Sequence, residues 1–352
     1  MALTAIFAVI SSTYCHSVIM HHKLDNQLFV KAGAQFEAVV KVVGLEQGVS
    51  VVQGTGTLII DGTTNKTALI TASHLFDEKE TRKRRYFAQI GKEMVEIEKV
   101  IHFIDFLLQN YSNHSLIGLE IPQRQVFLSS KLSPHLTEDL RKSLISAGAD
   151  LAICFIKSPL PDAIKPYKIA MQQDAFLHKT QEFWAVGFGE AGRGGSLFSF
   201  SQSFWGSGPK RAFQAKVKPE MSLTILNARK NVSERLITLS SHFEEKGFEK
   251  SLVGQVGSGD SGGPLLKKDE KTDTWHIHGV ISANLPFAET ENFKTLHPKT
   301  NALLSTVGAI AGKKSPFSNL LWKEANIYGS QGFYIDLTNS LVQKWIRSVF
   351  DQ

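Results

Sequence analysis

The chain is poor in cysteine, with only Cys15 and Cys154 among 352 residues. Two thiols cannot build a disulfide framework, so core packing must hold the fold. Cys154 lies inside the apolar run "LAICFI", where a buried thiol is an inert packing group. Long hydrophobic runs are scarce as well. After the N-terminal "MALTAIFAVISSTYCHS" no stretch reaches the roughly 18 apolar residues of a spanning helix, which predicts no membrane span. That first run has the length of a secretory signal but lacks a preceding Lys or Arg and a following A-x-A site. Residues 1–30 are therefore read as a leader, signal or pro-segment, and the protein as secreted or periplasmic. No G-x-G-x-x-G opens a helix and no Walker loop occurs, so nucleotide binding has no support. No repeat recurs at a fixed period. Charge of one sign is not in large excess, with 39 basic and 33 acidic residues for a net +6. The densest basic run, "KETRKRRY" at Lys79 to Tyr86, has no interleaved aromatics or paired basic helix. It reads as a solvated loop, and no nucleic-acid partner is expected.

What is present is a globular composition, 42% hydrophobic and 20% charged, arranged as short apolar runs broken by Gly, Asn, Asp and Pro. "FEAVVKVVG", "GTGTLII", "KTALITAS", "EMVEIEKVIHFI", "LAICFIK", "EFWAVGFG", "AFQAKVK", "SLTILN", "WHIHGVIS" and "GFYIDL" are rich in β-branched and aromatic residues and read as strands. Their number predicts an all-β barrel or sandwich protein without βαβ units. Two stretches read as helical. One is "SPHLTEDLRKSLIS", with Ser133 as cap. The other is the C-terminal "LTNSLVQKWIRSVF", whose Leu341, Val342, Trp345, Ile346 and Val349 share one face and should pack on the second domain. Three prolines in "KSPLPDAIKPYK", Lys157 to Lys168, mark an extended linker. The domains are accordingly 31–165 and 166–352.

The run "GSGDSGGP", Gly257 to Pro264, holds Ser261 in a loop that cannot be helix or ordinary strand. A serine hydroxyl attacks only when a base takes its proton, and the base works best when an acid fixes its tautomer. Two backbone N–H groups must also face the developing oxyanion, and a glycine before the serine lets the loop turn them the same way. Gly259 and Ser261 would supply that hole. Among 12 histidines, His74 stands at the mouth of the strand "ALITASH". Asp150 enters the apolar strand of "SAGADLAICFI", an expensive place for an acid unless it is hydrogen-bonded, as orienting an imidazole would make it. Asp105 also adjoins apolar sequence and is an alternative.

"TASH", "ADLA" and "GDSGGP", in the order His, Asp, Ser, resemble the trypsin/chymotrypsin family of serine proteases. "AVGFG" at Ala185 to Gly189, "HGVIS" at His278 to Ser282 and "GFYIDL" with "VQKWI" resemble further elements of that family, over roughly residues 35 to 350. The resemblance implies two six-stranded antiparallel β-barrels with a C-terminal α-helix and a triad of His74, Asp150 and Ser261 in the cleft. It implies a serine endopeptidase acting on protein or peptide substrates, with no metal or cofactor. Asp260 would pair with a freed N-terminal amine, yet no basic residue precedes an Ile-Val-Gly-Gly start here. Gln255 and Val256 would floor the primary pocket, and an uncharged floor disfavours Lys or Arg. Gly332 would leave one wall open and Asn284 would narrow the other. Ser282, Ala283 and Asn284 would pair with the substrate backbone as an added strand.

The 47 residues between Asn284 and Gly332 form a long insertion that would act as a lid, exosite or plug, or simply pack on the surface. Asp77 to Arg85 and Gln109 to Leu144 would enlarge loops near His74. "HIH" at His276 to His278 lacks a third ligand for a metal. "GDSGG" also satisfies the G-x-S-x-G elbow of α/β-hydrolase esterases, but Pro264 sits where the elbow's helix would form. A trypsin-like domain without turnover, serving as a binding module, is the other alternative.

Overall fold

The computed structural model describes residues 19–20, 24–76, 84–111, 115–121, 124–128, 145–157, 160–171, 180–189, 191–193, 204–205, 208–227, 232–242, 252–257, 259–285 and 331–352. Within them, the principal strands close into two six-stranded antiparallel barrels. The first comprises β1 (Val39–Glu46), β2 (Val49–Ile60), β3 (Thr67–Thr71), β4 (Arg84–Ile90), β5 (Glu93–His102) and β6 (Ala152–Ile156). They close in the order β1-β2-β3-β6-β5-β4, every pair antiparallel. Gln47 and Gly48, with φ of 52° and 81°, form the two-residue turn between β1 and β2, the left-handed pair that matches strand twist.

β4 corrects the reading of the end of the basic run as a loop, because Arg84, Arg85 and Tyr86 begin it; residues 79–83 of that run lie outside the described residues. The pattern is period two: Tyr86, Ala88 and Ile90 are buried, and Arg85 stays exposed. Arg84 Nε donates to Glu46 at 3.0 Å and Arg85 Nε to Glu96 at 2.8 Å. Such partly exposed ion pairs add little by themselves. Burial of an apolar side chain, about 1.5–3 kcal/mol each, decides that this stretch is a strand.

The second barrel comprises β7 (Gln181–Gly187), β8 (Arg211–Asn227), β9 (Val232–His242), β10 (Pro264–Asp269), β11 (Thr274–Leu285) and β12 (Gln331–Asp336). The order is β7-β10-β11-β12-β9-β8, closed by pairing of β7 with β8. "AFQAKVK" and "SLTILN" are thus one strand of 17 residues. Its register against β9 shifts between Pro219 and Met221, where proline has no N–H for the ladder. Past that point Leu223 to Asn227 pairs with Leu119 to Ser115, so the hairpin of Ser115–Ile121 and Arg124–Leu128 extends the second barrel's sheet.

Three helices and a short strand accompany the barrels. Helix α1 (Asn26–Ala34) is capped by Asp25, which accepts from Gln27 N at 3.0 Å. A short strand, Ile19–Met20, pairs with Gly254–Gln255 and with Ala191–Arg193. Met20 and Phe29 are fully buried with Phe183, Phe213 and Tyr334 in the second barrel's interior. Helix α2 (Phe103–Tyr111) follows β5 directly. Helix α3 (Ser340–Phe350) starts at Asn339, whose side chain accepts from Leu341 N at 3.0 Å, and it buries the face expected of it.

α3 lies against both barrels, not the second alone. Trp345 packs on Phe103 at 5.1 Å and Phe350 on Phe155 at 6.4 Å. Lys66 Nζ donates to Phe350 O at 2.8 Å. The seam it covers joins Val39, Ile59 and Ile153 of the first barrel to Val186, Leu266, Val280 and Ile335 of the second. The first barrel's interior, with Val42, Leu58, Leu69 and Cys154, is separate; burial pushes the Cys154 thiol pKa up, as an inert packing group requires. Of the expected helix at 133–146, residues 133–144 lie outside the described residues, as do 286–330 of the long insertion. No helix among the described residues is long and apolar enough to cross a membrane.

Candidate active site

β3 ends at Thr71, whose hydroxyl donates to Thr55 O at 2.6 Å. A single 3-10 turn, Ser73–Leu75, follows and carries His74. Its neighbours anchor it: Leu75 and Phe76 are buried, and Ser73 Oγ meets His102 Nδ1 at 2.7 Å. Asp150 enters just before β6, after the turn at Gly148 (φ 116°), and is 1% exposed. Its Oδ1 accepts from His74 N at 2.9 Å and its Oδ2 lies 2.7 Å from His74 Nδ1. Oδ2 also accepts from Ser282 Oγ at 2.6 Å. The apolar strand therefore tolerates its acid because three donors satisfy it. Asp105, the alternative acid, sits in α2 instead.

The carboxylate selects the tautomer of His74 with hydrogen on Nδ1, leaving Nε2 as the accepting nitrogen. Burial lowers the imidazole pKa, but the charge and hydrogen bond of Asp150 outweigh it, and the net direction is upward. The His74 side chain remains 40% exposed while its Nδ1 is tied to Asp150.

The loop of Ser261 is wound tightly. Gly259 and Gly262 have φ of 88° and 87°. Asp260 N donates to Gly257 O at 3.2 Å and Gly263 N to Asp260 O at 2.8 Å. A Cβ on Gly262 would lie 2.0 Å from both Thr55 O and Thr71 Oγ1, so glycine is required by conformation and by space. Gly262 N donates to Ile281 O and Ile281 N to Gly263 O, each at 2.7 Å. Among the described residues no acceptor is bonded to the N–H groups of Gly259 and Ser261. Those two donors are what this loop has left to offer a ligand.

Sequence reasoning missed Thr55. This β2 residue is fully buried and reaches across to the second barrel. Thr55 N donates to Ser261 O at 2.8 Å, its hydroxyl donates to Gly259 O at 3.0 Å, and it accepts from Phe188 N at 3.0 Å. The available signal was a hydroxyl between two glycines in "GTGTLII". Ser282 was expected to pair through its backbone, yet its side chain holds Asp150. It is the extra residue where the register of β11 on β12 shifts between Ile281 and Ala283, and a bulge re-aims a side chain.

The nucleophile candidate is not hydrogen-bonded to the base candidate. Ser261 Oγ instead donates to Ser282 O at 3.4 Å, a long contact at the limit of a hydrogen bond. Gln255 is fully buried. Its Oε1 accepts from Ser241 Oγ and Val256 N, both at 2.9 Å, and its Nε2 donates to Ser241 O at 3.0 Å. A Cβ at Gly332 would lie 2.4 Å from Gln255 Oε1 and 2.7 Å from Val256 Cγ2, so the missing side chain there admits the Gln255 amide. Asn284 pairs opposite Gly332. Asp260 is fully buried, with Oδ1 accepting from Gly189 N and Oδ2 from Gly257 N, each at 3.0 Å. Among the described residues no three His, Cys, Asp or Glu side chains group as metal ligands would.

No family model matches the chain, and no curated protein is significantly similar to it in sequence. The double barrel with its small C-terminal helix is consistent with a trypsin-like fold.

Proposed function

We propose that the protein is a serine endopeptidase. The observation that carries this reading is the buried Asp150 bonded to His74 at both Nδ1 and N, beside a glycine-wound loop whose Gly259 and Ser261 N–H groups are bonded to no acceptor among the described residues. Asp150 orients His74, and His74 Nε2 takes the proton of Ser261 Oγ as that oxygen bonds to the substrate carbonyl carbon. The carbonyl oxygen becomes an oxyanion between the N–H groups of Gly259 and Ser261. His74 then gives its proton to the leaving amine, and the acyl-enzyme remains. Water, deprotonated by His74, attacks the ester and releases Ser261. No metal or cofactor enters these steps.

The substrate is an extended protein or peptide segment. Beyond Ile281, Ala283 to Leu285 of β11 pair with β12 on one side, while pairing with β10 stops at Val280. The other edge of Ser282 to Asn284 can accept a peptide strand. The Gln255 amide, already satisfied internally, favours a neutral side chain at the cleavage site.

The second reading, a binding module without turnover, is favoured by one contact: Ser261 Oγ faces Ser282 O. Catalytic hydrogen bonds often tighten only with substrate bound, and a turn about χ1 of Ser261 redirects the hydroxyl. An esterase elbow is disfavoured because strand β10, not a helix, follows Ser261. The test is intact-mass detection of a fluorophosphonate adduct on the full chain and on Ser261→Ala, followed by a peptide library. Adduct on the wild type alone, with peptide cleavage, supports the endopeptidase. Peptide binding without adduct supports the binding module.

A further inference from the structure

Asp260 is a fully buried carboxylate one residue before Ser261. Its two oxygens tie the start of the nucleophile loop, at Gly257 N, to the segment just after β7, at Gly189 N. A carboxylate taken out of water destabilises its surroundings unless charge and donors compensate it. Arg211, the first residue of β8, is 2% exposed and stands in the same buried region. Burial lowers the pKa of its guanidinium, and the negative charge of Asp260 acts in the opposite direction. Its Nη1 donates to Gly189 O at 3.2 Å and to Pro209 O at 3.4 Å. Gly189 is thus gripped at its carbonyl by Arg211 and at its N–H by Asp260.

The remaining edge of the guanidinium reaches residues near the start of the chain. Arg211 Nε donates to Asn26 Oδ1 at 2.7 Å, and Asn26 opens α1. The helix is seated tightly at this point: a Cβ on Gly33 would fall 2.5 Å from Lys210 O and 2.9 Å from the Cα of Arg211. Upstream, Ile19 pairs with Gln255 and Met20 with Gly254. Asn26 therefore touches the guanidinium, while Ile19 and Met20 pair with the strand that leads into the nucleophile loop.

We propose that Arg211 is a positioning residue that balances the charge of buried Asp260 and, held by Asn26 of α1, keeps the loop from Gly257 to Ser261 in its oxyanion-binding form. The device supplies the balancing positive charge from a side chain of the second barrel, in the place of a proteolytically freed amine. The inference rests on the reading of Ser261 as nucleophile.

The test compares wild-type full chain, verified uncut by intact mass, with the same chain after limited proteolysis, and with Arg211→Gln, Arg211→Lys and Asn26→Ala. Fluorophosphonate labelling rate, kcat and KM on a cleaved peptide, and Tm are read for each. Uncut wild type should label as fast as cut protein. Arg211→Gln should lower kcat by about 100-fold, the size of losing an oxyanion donor, with a smaller change in KM. Arg211→Lys should recover part of the loss, and Asn26→Ala should fall between them and wild type. Labelling that appears only after cleavage overturns the proposal, as does wild-type kcat in Arg211→Gln. If Arg211→Gln fails to fold, the cut and uncut wild types and Arg211→Lys still decide it. Absence of labelling in every wild-type form defeats the nucleophile reading itself, and this inference with it.

Discussion

The two barrels hold their parts of the site in different ways. In the first, His74 and Asp150 are fixed within one short stretch of structure, where β3 and β6 run side by side from Thr71 opposite Ala152. In the second, the loop of Ser261 leans outward: its carbonyls at Gly259 and Ser261 are held by Thr55 of the other barrel, and its acid Asp260 by Gly189 and Gly257. The proposed acid-base half is therefore built mainly within its own barrel, with Ser282 Oγ of the second barrel as a further donor to Asp150, whereas the proposed nucleophile loop is held by Thr55 from across the seam. The polar contacts of Thr55 are also more easily perturbed than the apolar part of the seam around Val39, Ile59, Val186 and Leu266, because each polar group left unpaired costs about 1–3 kcal/mol.

The largest effect should come from removing either half. Ser261→Ala and His74→Ala should each lower kcat by roughly 10⁴- to 10⁶-fold, and the double variant should be no worse than the single ones, because the residues act as a unit. Single-turnover cleavage of a peptide checks this, and additive losses would break the proposed connection between the barrels.

Next comes the seam. Thr55→Val keeps the shape of the side chain but removes the hydroxyl that bridges Gly259 O and Phe188 N. It should lower kcat by about 10- to 100-fold and stability by about 1–2 kcal/mol. Thr71→Val, which loses a bond to Thr55 O, should have the smaller effect on kcat. Equal effects would mean that the hydroxyl of Thr55 has no special part in holding the loop.

A pH profile probes the first barrel. His74 must be neutral to accept a proton, and Asp150 raises its pKa above the ordinary 6.5. Activity should therefore fall, as pH falls, through a value above 6.5. A limb of kcat/KM at or below that value would show that Asp150 does not dominate burial.

The smallest effect concerns Asp336 at the end of β12. Burial pushes its carboxyl up from 3.8 to about 6, against the hydrogen bonds from Thr338. The folded protein keeps a proton there that the unfolded chain releases. Stability from this group is present below the unfolded value and is lost as pH rises through about 6, by about 3 kcal/mol. Asp336→Asn should flatten that slope in urea titrations between pH 4 and pH 6 while leaving the His74 limb in place.

Much of this was legible beforehand, for reasons that can be stated. α3 was readable because Leu341, Val342, Trp345, Ile346 and Val349 repeat at helical spacing and Asn339 caps them. Ser261 was readable because only glycines can take the φ values at 259 and 262. β4 was hidden because its outward positions begin in a basic run, and alternation of Tyr86, Ala88 and Ile90 shows only once a barrel interior exists to receive them. β8 looked like two strands because Pro219 interrupts the apolar pattern, whereas β9 simply shifts register past it.

The residue types and spacings around His74, Asp150 and Ser261, the all-β class and the amphipathic terminal helix were determined by sequence alone, since each is a local matter of backbone freedom or periodicity. Which acid faces His74, how Thr55 and Ser282 reach across, and how Arg211 and the buried Asp260 grip Gly189 at its carbonyl and its N–H were decided by tertiary structure. Those contacts join residues far apart in the chain, and hydrogen bonds and charges act over a few ångströms of space, whatever their separation in sequence.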